Sequence, residues 1–363
     1  MNRRNAAFTL VELMIAMAIV AVILYAAINF FIVSVRQYKV QTKIIETNVE
    51  GILGLELFRQ DLESLGFGLP WNNLGNYSEA TDNGSVLNDG NNIAPRAVLS
   101  INGPTFTVNN SDYLVIKSAR AGMSDAAGKW TTLTQGNNKR TWSPDSENLA
   151  GTNYVIVLAV GSTDANRRSL VISPIDCTTY ATQFSNTAAF VPVEPYSANI
   201  VYGIDTVQPV RPFNRADYYI DNSAGTVPQR CAPNTGVLVK AVLPHDNTTR
   251  TLLPLLDCVA DMQVVYGIKS SPTDNLVTYI PNQALFYPPA SSTPTAADIR
   301  SQLVEVRIHI LAQEGQRDDS YSTPSNPIFV GSQGVGRDFD VSGYRNYRWK
   351  QYSIVVKPKN LAQ

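Results

Sequence analysis

The chain has 363 residues, with 29 lysines and arginines against 30 aspartates and glutamates, for a formal net charge of −1 at pH 7. Such a balance, with the basic residues scattered, argues against a nucleic-acid binder, whose footprint is a concentrated positive face. Two histidines and three cysteines leave little material for a metal centre, and neither histidine has metal-ligand spacing to a cysteine or to the other.

Arg3 and Arg4 open the chain, and Ala7-Phe8-Thr9-Leu10-Val11-Glu12-Leu13 leads into an apolar run from Leu13 to Val33. About 21 residues at roughly 1.5 Å each span about 30 Å, the thickness of a bilayer core. A secretory signal has a shorter apolar region, with its cleavage site after that region and not before it. Glu12 is the singular residue here. A carboxylate at bilayer depth is costly unless it is paired, so it points to function.

Arg3-Arg4-Asn5-Ala6-Ala7 followed by Phe8-Thr9-Leu10-Val11-Glu12-Leu13 resembles the class III signal of type IV pilins and pseudopilins. The resemblance implies that a prepilin peptidase cuts between Ala7 and Phe8 and that Phe8 becomes an N-methylated terminus. It also implies that Glu12 pairs with the terminal amine of a neighbouring subunit. A carboxylate and an ammonium that meet in apolar surroundings offset a desolvation neither bears alone. Ala7 departs from the glycine usual in the family, so slower cleavage is expected. No proline precedes Pro70, whereas many major pilins carry one within the apolar helix, so this helix should stay continuous, as suits a minor component.

Beyond the apolar run, Val35, Tyr38, Ile45, Val49, Ile52, Leu55, Phe58, Leu62 and Leu65 recur at helical spacings, with Arg36, Lys39, Lys43, Glu46, Glu50, Arg59 and Asp61 opposite. This amphipathic half is expected to lay its apolar side on a globular head, and Gly66, Gly68 and Pro70 to end it. Gly51 and Gly54 weaken a helix and mark a bend or a close helix-sheet approach. Cations flank the apolar run on both sides, so the cleavage motif decides the orientation: N-terminus in the cytoplasm, head outside.

The remaining chain of about 290 residues suits one large domain or two smaller ones. Strands are expected at 113–118, 154–160, 169–173, 237–243, 262–268, 302–311 and 352–357. Val304, Val306, Ile308 and Ile310 alternate with Glu305, Arg307 and His309, which reads as an antiparallel sheet with one buried and one wet face. Polar stretches at 72–92, 122–151, 176–229, 270–298 and 314–344 read as loop insertions.

Residues 255–268, 303–308 and 344–348 with the final strand are similar to PilW-type minor pilins, and a related pattern occurs in J-type pseudopilins of type II secretion. The resemblance implies an α+β pilin-like fold, with a long N-terminal helix, transmembrane and then amphipathic, on an antiparallel sheet. Its segments are a leader at 1–7, an assembly helix at 8–33, an amphipathic helix at 34–66 and a head at 67–363. It further implies a minor pilin held in the bacterial inner membrane before assembly and placed in the pilus, at its tip, afterwards. The implied partners are the prepilin peptidase/methylase, sister minor pilins, the major pilin and the inner-membrane assembly platform. A type II secretion pseudopilin and a membrane-tethered adhesin that never polymerises are the alternatives.

An exported head suits one disulfide, and Cys177 with Cys231, both in polar contexts, is the expected bridge; Cys258, among Leu255, Leu256 and Val259, reads as a buried apolar residue. His309 on a wet strand face and His245 in a turn read as surface histidines. Gly331 to Gly336 fails as a phosphate loop because no helix follows. The Asp82, Asn88–Asn91 and Asp318 clusters lack complete calcium-loop spacing and read as turns. Arg345, Arg348, Lys350, Lys357 and Lys359 with interleaved aromatics read as a strand pair with one solvated face. No enzyme activity, cofactor or metal is expected.

Overall fold

The computed structural model describes residues 9–72, 74–90, 92–161, 167–223, 225–246, 249–270, 276–281 and 294–361. The chain begins with one helix, α1 (Leu10–Glu63), of 54 residues. It ends where Ser64 leaves helical geometry, and Gly66 and Gly68 follow with φ of 72° and 65°. Strands β1 (Val98–Ile101) and β2 (Tyr113–Ser118) come next. A block of short strands follows: β3 (Trp130–Thr134), β4 (Asn138–Lys139), β5 (Tyr154–Val160), β6 (Arg167–Leu170), β7 (Ala181–Gln183) and β8 (Ala198–Asp205). Then come β9 (Asn214–Asp221), β10 (Gly236–Leu243), β11 (Thr251–Ile268), β12 (Thr278–Ile280), helix α2 (Ala296–Gln302) and β13 (Leu303–Glu314). The hairpin β14 (Ile328–Ser332) and β15 (Val335–Phe339) precedes the last strand, β16 (Arg348–Val356).

The main sheet is antiparallel, in the order β1-β2-β9-β10-β11-β13-β16, with β12 on β11. One face carries Leu114, Ile116, Tyr218, Leu238, Val264, Val306, Ile308 and Ile310, and it closes over Leu55, Phe58 and Leu62 of α1 to form the principal core. The fold is therefore α+β and pilin-like, as expected. A second antiparallel sheet, β4-β3-β8-β5-β6 with β7 on β5, packs two smaller cores around Ile156, Leu158 and Tyr202 and around Leu133, Val157 and Val201. It falls largely within stretches expected to be loops. β3, β4, β7 and β8 all occupy such polar segments, as does β9 of the main sheet, and their backbones pair in ladders although their composition reads as turn-like.

The expected wet face of β13 is covered. The β14–β15 hairpin lies over it, with Val330 buried against Leu311 and Ala260 and with Ile328, Phe339 and Trp349 packed around them. His309 is consequently buried, with Nδ1 2.9 Å from Ser353 Oγ and Nε2 2.9 Å from Ser332 Oγ. His245 is buried as well, beside Asn214 at 2.9 Å, because β9 and the 211–214 segment close over its turn. Neither is a surface histidine. Gly331 to Gly336 forms the hairpin's end; the two glycines face each other, and a Cβ on either would stand 2.2 Å from a carbonyl oxygen of the other strand.

The helix face that seats on the head also differs in part from the expected one. Thr47, Gly51, Gly54, Leu55, Phe58, Asp61 and Leu62 are buried, whereas Tyr38, Ile45, Val49 and Ile52 are exposed, with Leu53 and Leu57 beside them. Two narrow apolar strips thus share the helix, and small residues, not large ones, allow the closer approach.

The disulfide joins Cys231 to Cys258, and Cys177 is free and exposed. The expected Cys177–Cys231 bridge is thereby corrected. Leu255 and Leu256 do join the core, but the strand is irregular around Val259 and Cys258 takes a φ of 56°, so its thiol turns away to the 228–232 loop.

Candidate functional site

The candidate site is α1 itself, from its first turn to its root in the head. Thr9 is the N-cap: its hydroxyl accepts from Glu12 N–H at 3.2 Å, while Glu12 Oε2 accepts from Thr9 N–H and Thr9 Oγ1, each at 2.9 Å. This reciprocal capping box satisfies two of the helix's unpaired donors, and Thr-x-x-Glu is its signature in the sequence. It also holds the carboxylate back toward the helix start. Among the described residues, Oε1 takes no bond and remains open to a further donor. Ala7 and Phe8, the expected cleavage pair, lie outside the described residues.

From Leu10 to Val33 every residue is exposed or nearly so, including Leu10, Phe30 and Phe31 at 75%, 76% and 68%. The most apolar window has a mean hydropathy of 2.6 and is 0% buried, long and apolar enough to cross a membrane. The head leaves it entirely free for a bilayer or for other helices.

The root of the helix is held by backbone approach, by charge and by a strand cross-linked to a loop. A Cβ at Gly54 would lie 1.8 Å from Leu255 O, so α1 meets β11 main chain to main chain; at Gly51 it would meet side chains alone, Leu256 at 3.0 Å and the Tyr352 hydroxyl at 3.6 Å. Asp61 is buried between Lys240 Nζ, 2.6 Å away, and the Tyr218 hydroxyl, which donates to it. Phe58 stacks on that same tyrosine ring at 4.1 Å. Asn48 Oδ1 accepts from Lys350 Nζ at 2.8 Å and from Tyr352 OH at 3.0 Å, fastening the helix to β16. Gly315 N–H donates to Thr47 Oγ1 at 3.2 Å. The Cys231–Cys258 bridge lies beside this seat, where Arg230 reaches Asp257 at 2.8 Å and Glu50 at 3.4 Å. Of these residues, sequence reasoning picked out Glu12, the two glycines, Phe58 and the Cys231 thiol, and it placed Asp61 on the solvent side.

The acidic turns are committed to cations. Asp82 pairs with Arg250, Asp89 with Lys117 at 2.6 Å and with Arg96 at 2.6 Å, and Asp318 with Arg348 at 3.0 Å. Lys117 and Arg215 also reach Glu79 at 2.7 Å, and Arg215 reaches Asp217 at 2.8 Å. A buried ionic network therefore pins the 77–96 segment to β2 and β9. Lys117 and Arg96 hold the Asp89 carboxyl below its ordinary range despite its burial.

Residues 2–28 match the family model of the prokaryotic N-terminal methylation motif, and residues 217–360 match that of type IV pilus-assembly protein W. No curated protein and no solved structure matches the chain. The first match covers the start of the free apolar helix, and the second covers the strands on which its other end is seated; over these two segments the chain is similar to type IV pilins of the PilW type.

Proposed function

We propose that this protein is a minor pilin that helps to initiate or cap a type IV pilus. The observation that carries this reading is the division of α1: its first half is wholly unburied and headed by Glu12, while its second half is built into the head. A helix so divided suits insertion into a bundle of like helices while the head remains outside. In this proposal the leader at 1–7 is removed between Ala7 and Phe8, and Phe8 is N-methylated. Glu12 then pairs with the amine of a neighbouring subunit, while the 67–363 head contacts sister minor pilins. The contact is heterologous, so it propagates, and a bulky head with a second sheet hinders close lateral packing and favours a terminal position. The role is structural, not catalytic, and the unassembled subunit rests in the inner membrane with its head outside.

The experiment is complementation of a strain lacking this protein by Glu12→Ala, with pili counted by electron microscopy and the protein located by immunogold. Few pili, with the variant stable in the membrane, is the expected result. Full piliation by the variant would contradict the assembly role and favour a tethered binding protein. Label at high copy along the shaft would contradict the terminal position.

A further inference from the structure

At the C-terminal end of α1, roughly 45 Å beyond the apolar run at 1.5 Å per residue, two clefts share a wall made of Phe67 and Arg120. One, of about 490 Å³, is bounded by the last turn of the helix and by Lys357 and Lys359 after β16. The other, of about 350 Å³, is bounded by Trp130, Trp142 and Glu147 of the second sheet and its loop. Together they form a groove where the main sheet meets the inserted sheet, at the end of α1 opposite the apolar run.

The groove is built in advance of any ligand. Asn148 clamps Trp142 on both sides, accepting from its N–H at 2.7 Å and donating to its carbonyl at 3.0 Å, and the indole N–H donates to Trp130 O at 2.7 Å. The two indoles stand 4.9 Å apart with a 56° tilt, and the Arg140 guanidinium stacks on Trp142 at 4.2 Å. Gly128, with φ of 83°, leaves room for Arg120; a Cβ there would come within 3.0 Å of Arg120 Cγ. The floor of the other cleft is tied by Asn360, whose side chain donates to Glu63 O at 3.1 Å, and by Arg168, which donates to Asn360 O at 3.0 Å. Arg120, Arg140, Lys357 and Lys359 are exposed, and among the described residues none of them pairs with a carboxylate.

We propose that this groove binds an acidic saccharide. One sugar ring lies against the Trp130–Trp142 corner with its carboxylate on the Arg120 guanidinium, and the chain continues past Phe67 toward Lys357 and Lys359. Aromatic faces accept the apolar side of a pyranose ring, and a guanidinium matches a carboxylate by two parallel hydrogen bonds. Glu147 and Glu63 line the two clefts, where they accept from sugar hydroxyls. A deoxynucleotide strand offers no pyranose hydroxyls for these two carboxylates to hold, and it needs an uninterrupted cationic track, which they break.

The test uses the full chain in detergent micelles, following tryptophan emission during titration with tetragalacturonate, a chondroitin tetrasaccharide and an α2,8-linked sialic acid trimer. Maltotetraose and an eight-residue oligothymidylate are the controls. At least one acidic saccharide gives a saturable change, and Arg120→Gln, at an exposed position that leaves the fold intact by circular dichroism, weakens it about tenfold or more. Lys357→Gln with Lys359→Gln weakens it less. The proposal is overturned if none of the three acidic saccharides binds, if Arg120→Gln leaves the affinity unchanged, or if a control binds as tightly. Binding by the isolated subunit is read without assembly, so its failure is separate from any failure of the pilus role.

Discussion

The Tyr218 hydroxyl, on β9, donates to the carboxylate of Asp61 in the last full turn of α1, and Phe58 of the same helix stacks on the ring that carries it. Helix and sheet are thus joined through one side chain by both a polar and an aromatic contact. Lys240 completes the arrangement from β10, with Asp61 and Lys240 side chains only 10% and 12% exposed. Tyr218→Phe keeps the stack and the ion pair and removes one charge-assisted hydrogen bond, at a cost of about 1.5 to 3 kcal/mol. Asp61→Ala strands Lys240 and costs about 3 to 5 kcal/mol. Denaturant unfolding of the two variants should give that order, and equal stabilities would show that the ion pair contributes nothing at the seat.

The two glycines of the helix should behave differently. Alanine at 54 puts its Cβ onto the Leu255 carbonyl, a backbone atom that cannot yield, so Gly54→Ala forces α1 off β11. Overpacking of this kind costs about 1 to 3 kcal/mol or more. Alanine at 51 presses only on the end of the Leu256 side chain, which can turn aside, lies at ordinary contact distance from Tyr352, and gains about 1 kcal/mol in helix propensity. Gly51→Ala should be neutral or stabilising in thermal unfolding while Gly54→Ala lowers the midpoint; similar losses in both would show that the helix tolerates no closer contact at either place.

What the chain reveals without coordinates follows from how local the cause is. The apolar run and the end of the helix at Gly66 and Gly68 depend on neighbours within a turn or two, and they read correctly. β13 was legible by alternation, since Val306, Ile308 and Ile310 all enter the principal core. Its other face was misread because the element that covers it, the β14–β15 hairpin, comes about twenty residues later and has little apolar pattern of its own. In the second sheet β5 was expected at 154–160, whereas its polar partners were missed for a similar reason: β3, Trp-Thr-Thr-Leu-Thr, buries Thr131 and Leu133 only because β8 and β4 pair with it. On the helix, helical spacing identified apolar residues but could not say which strip would face β11, a matter settled by where Gly54 allows contact.

The cysteines give the same lesson a measurable form. Cys258 sits among leucines, yet an irregularity in β11 turns it toward Cys231 across a sequence separation of 27. In the chain-entropy account a loop of that length stabilises by about 3.5 kcal/mol. Alkylation of the native protein followed by peptide mass spectrometry should label Cys177 alone and recover 231 and 258 as a linked pair. Cys231→Ser should lower stability by about that amount while Cys177→Ser leaves it unchanged; a bridge to Cys177, or equal effects of the two substitutions, would reverse the assignment.

His245 makes stability depend on pH. Its Nε2–H donates to Asn214 Oδ1, whose amide is already spent on the Ala119 and Ile204 carbonyls, and the Arg211 guanidinium lies nearby. Burial first, and then Arg211, push the imidazole down to about 2 from an ordinary 6.5. The ring is therefore neutral in the folded chain and takes up a proton only on unfolding. Its contribution is fully present above pH 6.5 and is lost as the pH falls, by about 1.4 kcal/mol per pH unit. Asp112 acts in the opposite sense: burial, with Asp261 adding to it, raises its carboxyl to about 7, so the folded state takes up a proton there first as the pH falls. The two effects overlap between pH 6.5 and 5 and mask each other in the parent protein, and the difference between parent and His245→Gln isolates the histidine. Between those two pH values the variant should gain about 2 kcal/mol relative to the parent in denaturant unfolding. A difference that stays constant with pH would mean that His245 is protonated equally in the folded and unfolded chains.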